Sequence, residues 1–175
     1  MAIKPISERK YDWFFVVAFS FFICTSIITD SVNGLADQLD PRSSYGIERY
    51  IYHTYAKLAD PLLIINPPQV KYSAWISAFI WLPLYFYFVI GFYKGWEKVR
   101  VPGLVYGGAL THGMITYIAE GTLGYWATEG WKTIEGCTKP DVAYYMRANL
   151  PYLIVPFLTI IRLWKPNPFG TKDNK

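Results

Sequence analysis

From Trp13 to Ile28 the chain carries no charge, and two residues later it meets a carboxylate, Asp30. At ~1.5 Å rise per residue, a helix over this run falls just short of a hydrocarbon core roughly 30 Å thick. Asp30 therefore belongs at or slightly inside the far interface of a spanning helix. An acid at that depth is costly and is a functional candidate by default. A second uncharged run, Ser73 to Tyr93, and two further apolar stretches follow. The expectation is an all-α integral membrane protein: one domain over residues 1–175, a four-helix bundle with spans of about 13–32, 73–93, 101–123 and 148–164. The first run lacks the small-residue cleavage site of a secretory signal and reads as a retained helix. A composition that is 53% hydrophobic and 19% aromatic fits a membrane domain better than a soluble one.

Between the first two spans, Ile47, Tyr50, Ile51, Thr54 and Leu58 recur at helical spacing, while Glu48, Arg49, His53 and Lys57 fall elsewhere. This pattern predicts an amphipathic helix over about Gly46 to Ala59, lying on the membrane or capping the bundle. Asp60-Pro61 stops it. The LLIIN segment that follows reads as extended and ends at Pro67-Pro68. Pro83 falls near the middle of helix two and predicts a kink. In helix three, Gly103 and Gly107 have the spacing that lets two membrane helices approach closely. Cys24, inside helix one, and Cys137, in a polar loop, are not expected to pair.

Four spans put both termini and the Lys94 to Arg100 turn on one side. That side holds ten basic residues against four acids, and the other holds seven against nine. The positive-inside tendency then faces both termini to the cytosol or its organellar equivalent.

On this topology Asp30, Asp60 and Glu120 gather at the acidic end with Arg147 and Asn149, at the mouth of an aromatic interior. Two carboxylates beside a low-dielectric cavity can hold a cationic amphiphile, one pairing with the amine and the other fixing its partner by hydrogen bonds. The plainer reading has Asp30 and Glu120 capping helix ends or pairing with Arg147. His112 falls near the midplane, with Glu120 two turns away on the same face, an arrangement that suits a polar relay or a histidine bonded to a neighbouring carbonyl. Two histidines and two separated cysteines make no metal ligand set. No phosphate-binding glycine loop or serine elbow is present, and the basic residues read as membrane anchors and not as a nucleic-acid surface. No cofactor is expected.

The run HTYAKLADPLLIINPP, Asp30 closing helix one, KVRVPGLVY at the entry to helix three and NLPYLIVPF in helix four resemble the EXPERA superfamily, in particular its sigma-2 receptor branch. The resemblance implies a four-helix protein of the endoplasmic reticulum membrane that binds sterols and cationic amphiphiles within the bundle and takes part in intracellular sterol handling. It implies that Asp30 pairs with a ligand amine, that Asp60 supports the site, and that Tyr106 and Tyr152 belong to the cavity wall. Asn149 joins them as a polar neighbour. Where the receptor branch has a further glutamate in helix two, this chain has Ser77. The related emopamil-binding branch isomerises a sterol double bond with an embedded His and acids. Helix one offers Phe22 and Ser26 at those positions, so no catalytic residue is assigned and isomerase activity is not expected.

Two function classes follow. The first is a protein binding a sterol, similar lipid or cationic amphiphile, in contact with membrane lipids. The second is a structural accessory subunit of a large membrane assembly, such as a respiratory complex of the mitochondrial inner membrane. A homodimer through the glycine face of helix three or through helix two is compatible with both.

Overall fold

The computed structural model describes residues 3–170. Lys172, Asp173 and Lys175, counted above on the basic side, lie outside them. Seven helices carry the architecture: α1 (Lys10–Leu35), α2 (46–59), α3 (Pro61–Ile65), α4 (Pro68–Lys94), α5 (Arg100–Leu123), α6 (Tyr125–Thr128) and α7 (Val142–Leu163). Among the described residues, α1, α4 and α7 are long and apolar enough to cross a membrane. The 24 residues of α5 reach about 36 Å, also enough to cross, but this helix is less apolar. α1 packs mainly on α4, and α5 mainly on α7.

The ends of the spans depart from expectation for local reasons. α4 begins at Pro68 and not near Ser73, because proline at the first helical position gives up an N–H that has no intrahelical acceptor. α7 begins at Val142 and not near Ala148: the Asp141 side chain accepts the Tyr144 N–H at 3.0 Å and caps the added turns. The LLII residues are helical and not extended. Pro61 opens that turn and Asn66, left-handed at φ 46°, closes it. The Asn66 side-chain amide donates to the carbonyls of Asn33 (2.8 Å) and Ala36 (3.0 Å), fastening the turn to the end of α1.

Residues 46–59 form the expected helix, with its inward face rotated. Glu48, Ile51, Tyr52, Ala56 and Ala59 are buried, whereas Ile47 and Tyr50 are exposed. The buried positions keep helical spacing but lie one residue on from Ile47 and Tyr50, and the helix contains a π turn at Tyr52–Ala56. Glu48 is tolerated inside because its carboxylate accepts the Asp40 N–H at 2.8 Å.

The interior of the spans is aromatic. Phe19, Phe88, Phe92 and Tyr106 are fully buried, with the Phe19 ring 5.0 Å from Phe88 and 5.7 Å from Tyr106. Gly103 and Gly107 seat α7: a Cβ would lie 2.3 Å from Leu163 at the first and 2.9 Å from the Pro156 carbonyl oxygen at the second. The close approach read from their spacing is thus made within the chain, and this face is not free for dimerisation. At the basic end Asp12 is buried between Arg9 and Arg162, whose Nε donates at 2.7 Å. Arg9 also donates to the carbonyls of Phe92 (2.8 Å) and Tyr93 (2.9 Å), tying α1, α4 and α7 together. Cys24 and Cys137 are both free.

Candidate functional site

Helix α1 is wound as a π turn at Ser26–Asp30 and α4 as another at Ser77–Trp81. Single π turns widen a helix and re-aim side chains, and they recur at functional sites. The α4 turn ends two residues before Pro83, whose ring removes the N–H that would bond back to residue 79. The two turns meet. Ser77 Oγ donates to Asp30 Oδ2 at 2.5 Å, and the hydroxyls of Ser77 and Ser26 are 3.3 Å apart. Asp30 is half-buried in this seam. Among the described residues no Lys, Arg or His forms an ion pair with it; its contacts are hydroxyls. One turn away, the Tyr152 phenol donates to Thr25 Oγ1 at 2.5 Å and the ring stacks on Phe22 at 4.4 Å.

Asp60 stands in a different cluster, built by the third π turn. That turn presents Tyr55, whose hydroxyl donates to Asp60 Oδ2 at 3.3 Å; Tyr117 from α5 donates to the same oxygen at 2.7 Å. The Asn149 side-chain amide donates to the Tyr55 hydroxyl at 2.8 Å and to the Tyr145 carbonyl at 2.9 Å, bringing α7 into the network. Asp60 is 1% exposed. Burial pushes its carboxyl up to about 6, against the pull of the Tyr117 and Tyr55 hydroxyls and the N–H groups of Leu62 and Leu63. Burial and the neighbouring Asp60 also raise the Tyr55 phenol well above its ordinary range.

The acids expected to gather therefore separate into two clusters, and no hydrogen bond links these among the described residues. Glu120 and His112 belong to neither. Both are exposed, as is Arg147, whose Nε donates to the Ala143 carbonyl at 3.2 Å. Pairing of Arg147 with Asp30 or Glu120 is not seen, because the guanidinium folds back along its own helix. His112 and Glu120 lie two turns apart on one side of α5, as expected, but His112 is exposed on the outside of the bundle and Glu120 borders a cleft. The aromatic interior expected as a cavity is filled by its own rings, with Tyr106 packed between Phe19, Tyr85 and Phe88. A cleft of about 180 Å³ lies elsewhere, lined by Leu62, Pro67, Gln69, Val70, Tyr117, Glu120 and Trp126.

The family model of EXPERA, the expanded EBP superfamily, matches residues 46–163, from the start of α2 to the end of α7. The chain belongs to the EXPERA superfamily. No curated protein matches it. The matched stretch holds the whole Asp60 network and Ser77 but leaves α1, with Asp30 and Ser26, outside. Within the EXPERA stretch, Tyr55 and Tyr117 are the polar residues the sequence alone did not single out. Tyr55 lies in the HTYAKLADPLL run, five residues before Asp60; Tyr117 is distant in sequence and carries no local signal.

Proposed function

We propose that this EXPERA member is a non-catalytic membrane protein that binds a cationic amphiphile or a sterol-like lipid, with Asp30 as the counter-charge. It is placed with the sigma-2 branch, in intracellular sterol handling at the endoplasmic reticulum membrane, with both termini cytosolic. One observation carries the reading. Two facing π turns hold a half-buried carboxylate among hydroxyls, inside a bundle where an unpaired anion is costly. A ligand amine would supply the missing positive charge, with Ser77 and Ser26 holding the carboxylate in place and Tyr152 beside it. Asp60 and Asn149 serve as supports, and Tyr106 as part of the packed wall. Phe22 at the position of the emopamil-binding histidine is spent on stacking with Tyr152, which speaks against proton transfer to carbon by this helix.

The test is binding of N,N-dimethyldodecylamine to the purified protein in nanodiscs, alongside mass spectrometry of the lipids that co-purify. Asp30→Asn removes the charge and keeps the size. Saturable binding lost in Asp30→Asn supports the site; equal affinity in both proteins removes Asp30 from it.

One observation favours the second reading, an accessory subunit of a larger membrane assembly, with the mitochondrial inner membrane as the alternative location. The aromatic interior is closed by its own side chains, which suits a protein used as structure. Elution of the native protein within a much larger particle, with bulk phospholipid alone, would favour it.

A further inference from the structure

The cleft of about 180 Å³ at the acidic end is a different place from the Asp30 seam, and its walls select for one kind of group. Tyr117 and Trp126 are half-buried and pack against the cluster that holds Leu62 and Val70, so two aromatic rings stand over an apolar floor. Glu120 and Gln69 are exposed at the rim. Glycines shape the site. A Cβ at Gly124 would collide with Glu120 Oε1, and one at Gly130 would collide with the Trp126 ring; the two glycines let α6 and the turn after it fold close against the end of α5.

Charge sets what belongs there. The Tyr117 hydroxyl is spent on Asp60 Oδ2 at 2.7 Å, so a second carboxylate stands directly behind this wall, and its buried Oδ1 has no side-chain donor. Among the described residues neither Asp60 nor Glu120 forms an ion pair, and Lys71, near the start of α4, is taken by Asp37 at 2.6 Å. A cation in the cleft is attracted by both carboxylates and by the rings. Size narrows the choice. The cleft is smaller than the ~300 to 1,000 Å³ that encloses a drug-sized ligand, so it takes one group and not a whole amphiphile. A primary ammonium brings three N–H donors, whereas the side-chain acceptors here are confined to the rim. An N-methylated cation needs none, and Leu62 and Val70 suit its methyls. Glu120 stands twenty residues after Arg100, roughly 30 Å along the axis at ~1.5 Å per residue, which sets the cleft at the headgroup level of the far interface.

We infer that the cleft binds a quaternary ammonium group of the choline type, with Trp126 and Tyr117 against its methyls and Glu120 as its counter-charge. Such a group has two sources: the headgroup of a phosphatidylcholine in the surrounding bilayer, and free choline in the water beyond it. The inference goes beyond the amine site at Asp30 and does not rest on it.

The experiment has two arms, both on the purified protein in dodecylmaltoside. Equilibrium dialysis against radiolabelled choline reads the free cation. Native mass spectrometry after addition of phosphatidylcholine and phosphatidylethanolamine in equal amounts reads the lipid, and tetramethylammonium and methylammonium serve as competitors in both arms. The expected result is saturable binding of the choline group in at least one arm, displaced roughly tenfold more readily by tetramethylammonium than by methylammonium. Glu120→Gln should weaken it about fivefold and Trp126→Leu about tenfold, while Trp126→Phe, which keeps a ring, should lose about threefold. Should Trp126→Leu fail to fold, Glu120→Gln at the exposed rim and Trp126→Phe carry the test. Binding in dialysis assigns a water-borne cation, and retention of phosphatidylcholine alone assigns the lipid; either supports the inference. No saturable binding in either arm overturns it, as does binding unchanged in Glu120→Gln and Trp126→Phe, or equal displacement by methylammonium. Binding lost in Asp30→Asn also overturns it, by moving the cation to the seam of α1 and α4, and leaves the reading of Asp30 standing.

Discussion

The two acids at the far end of the bundle are held in opposite ways. Asp60 is sealed: two tyrosine hydroxyls converge on one of its oxygens, Asn149 fixes one of those tyrosines, and α2, α5 and α7 are joined through it. Asp30 lies half-open between α1 and α4, held by short serine side chains that can rotate away. Long, packed donors make a carboxylate part of the framework, whereas short donors in a seam leave it able to change partners. Depth in the bundle alone does not separate the two acids. Their donors distinguish them.

The comparison is broken most severely at Asp60. Asp60→Ala leaves the hydroxyls of Tyr55 and Tyr117 without their acceptor and opens a void, with an expected loss of about 3 kcal/mol. Thermal unfolding in nanodiscs measures it; a variant as stable as the parent would make the network ornamental. The pH dependence comes next. Burial raises the folded-state carboxyl to about 6, above the ordinary carboxyl value of 3.8, so the folded protein binds this proton more tightly than the unfolded chain does. The resulting stability is fully present below about pH 4 and is lost as pH rises through 6, by roughly 2 to 3 kcal/mol in all. Melting temperature should therefore fall between pH 4 and pH 7, and Asp60→Asn should flatten this component; an unchanged slope in the variant would place the titration elsewhere.

Asp30 sharpens the contrast from the other side. Asp30→Asn should cost tenfold or more in binding of dimethyldodecylamine, about 1.4 kcal/mol, with a melting temperature close to the parent's. A large fall in stability would show that the two acids are not different in kind. Ser77→Ala should have the smallest effect, lowering the same affinity about threefold by loosening the carboxylate. An unchanged affinity would leave Ser77 as packing.

The long-range layout was legible because it is written in period and punctuation: uncharged runs for the spans, the Gly103 and Gly107 pair for the α5–α7 seat, Asp60-Pro61 for the end of α2. On α2 the spacing identifies the helix and the buried Ile51, but the inward face also carries Glu48 and Tyr52, an acid and a tyrosine that give no apolar signal, while Ile47 and Tyr50 face outward. Within the candidate sites, Asp30 and Asp60 stood out as acids in apolar surroundings. Tyr55 and Tyr117 did not, since a tyrosine in an aromatic-rich chain is ordinary until its hydroxyl is seen to face a carboxylate. Grouping Asp30 and Asp60 with Glu120 and Arg147 used depth alone, and depth does not say which way a side chain points.

The clasp at the basic end bears on how the protein is made. Asp12 stands at the start of the first span and Arg162 near the end of the last, 150 residues later. During synthesis from the N-terminus, Asp12 has Arg9 beside it from the outset but gains its second cation only when the final helix is in place. A chain truncated before Arg162 leaves that contact with Asp12 unmade, and the carbonyls of Phe92 and Tyr93 with an Arg9 that nothing else steadies from α7. The clasp therefore closes last, and its closure distinguishes a fully inserted chain from every shorter intermediate.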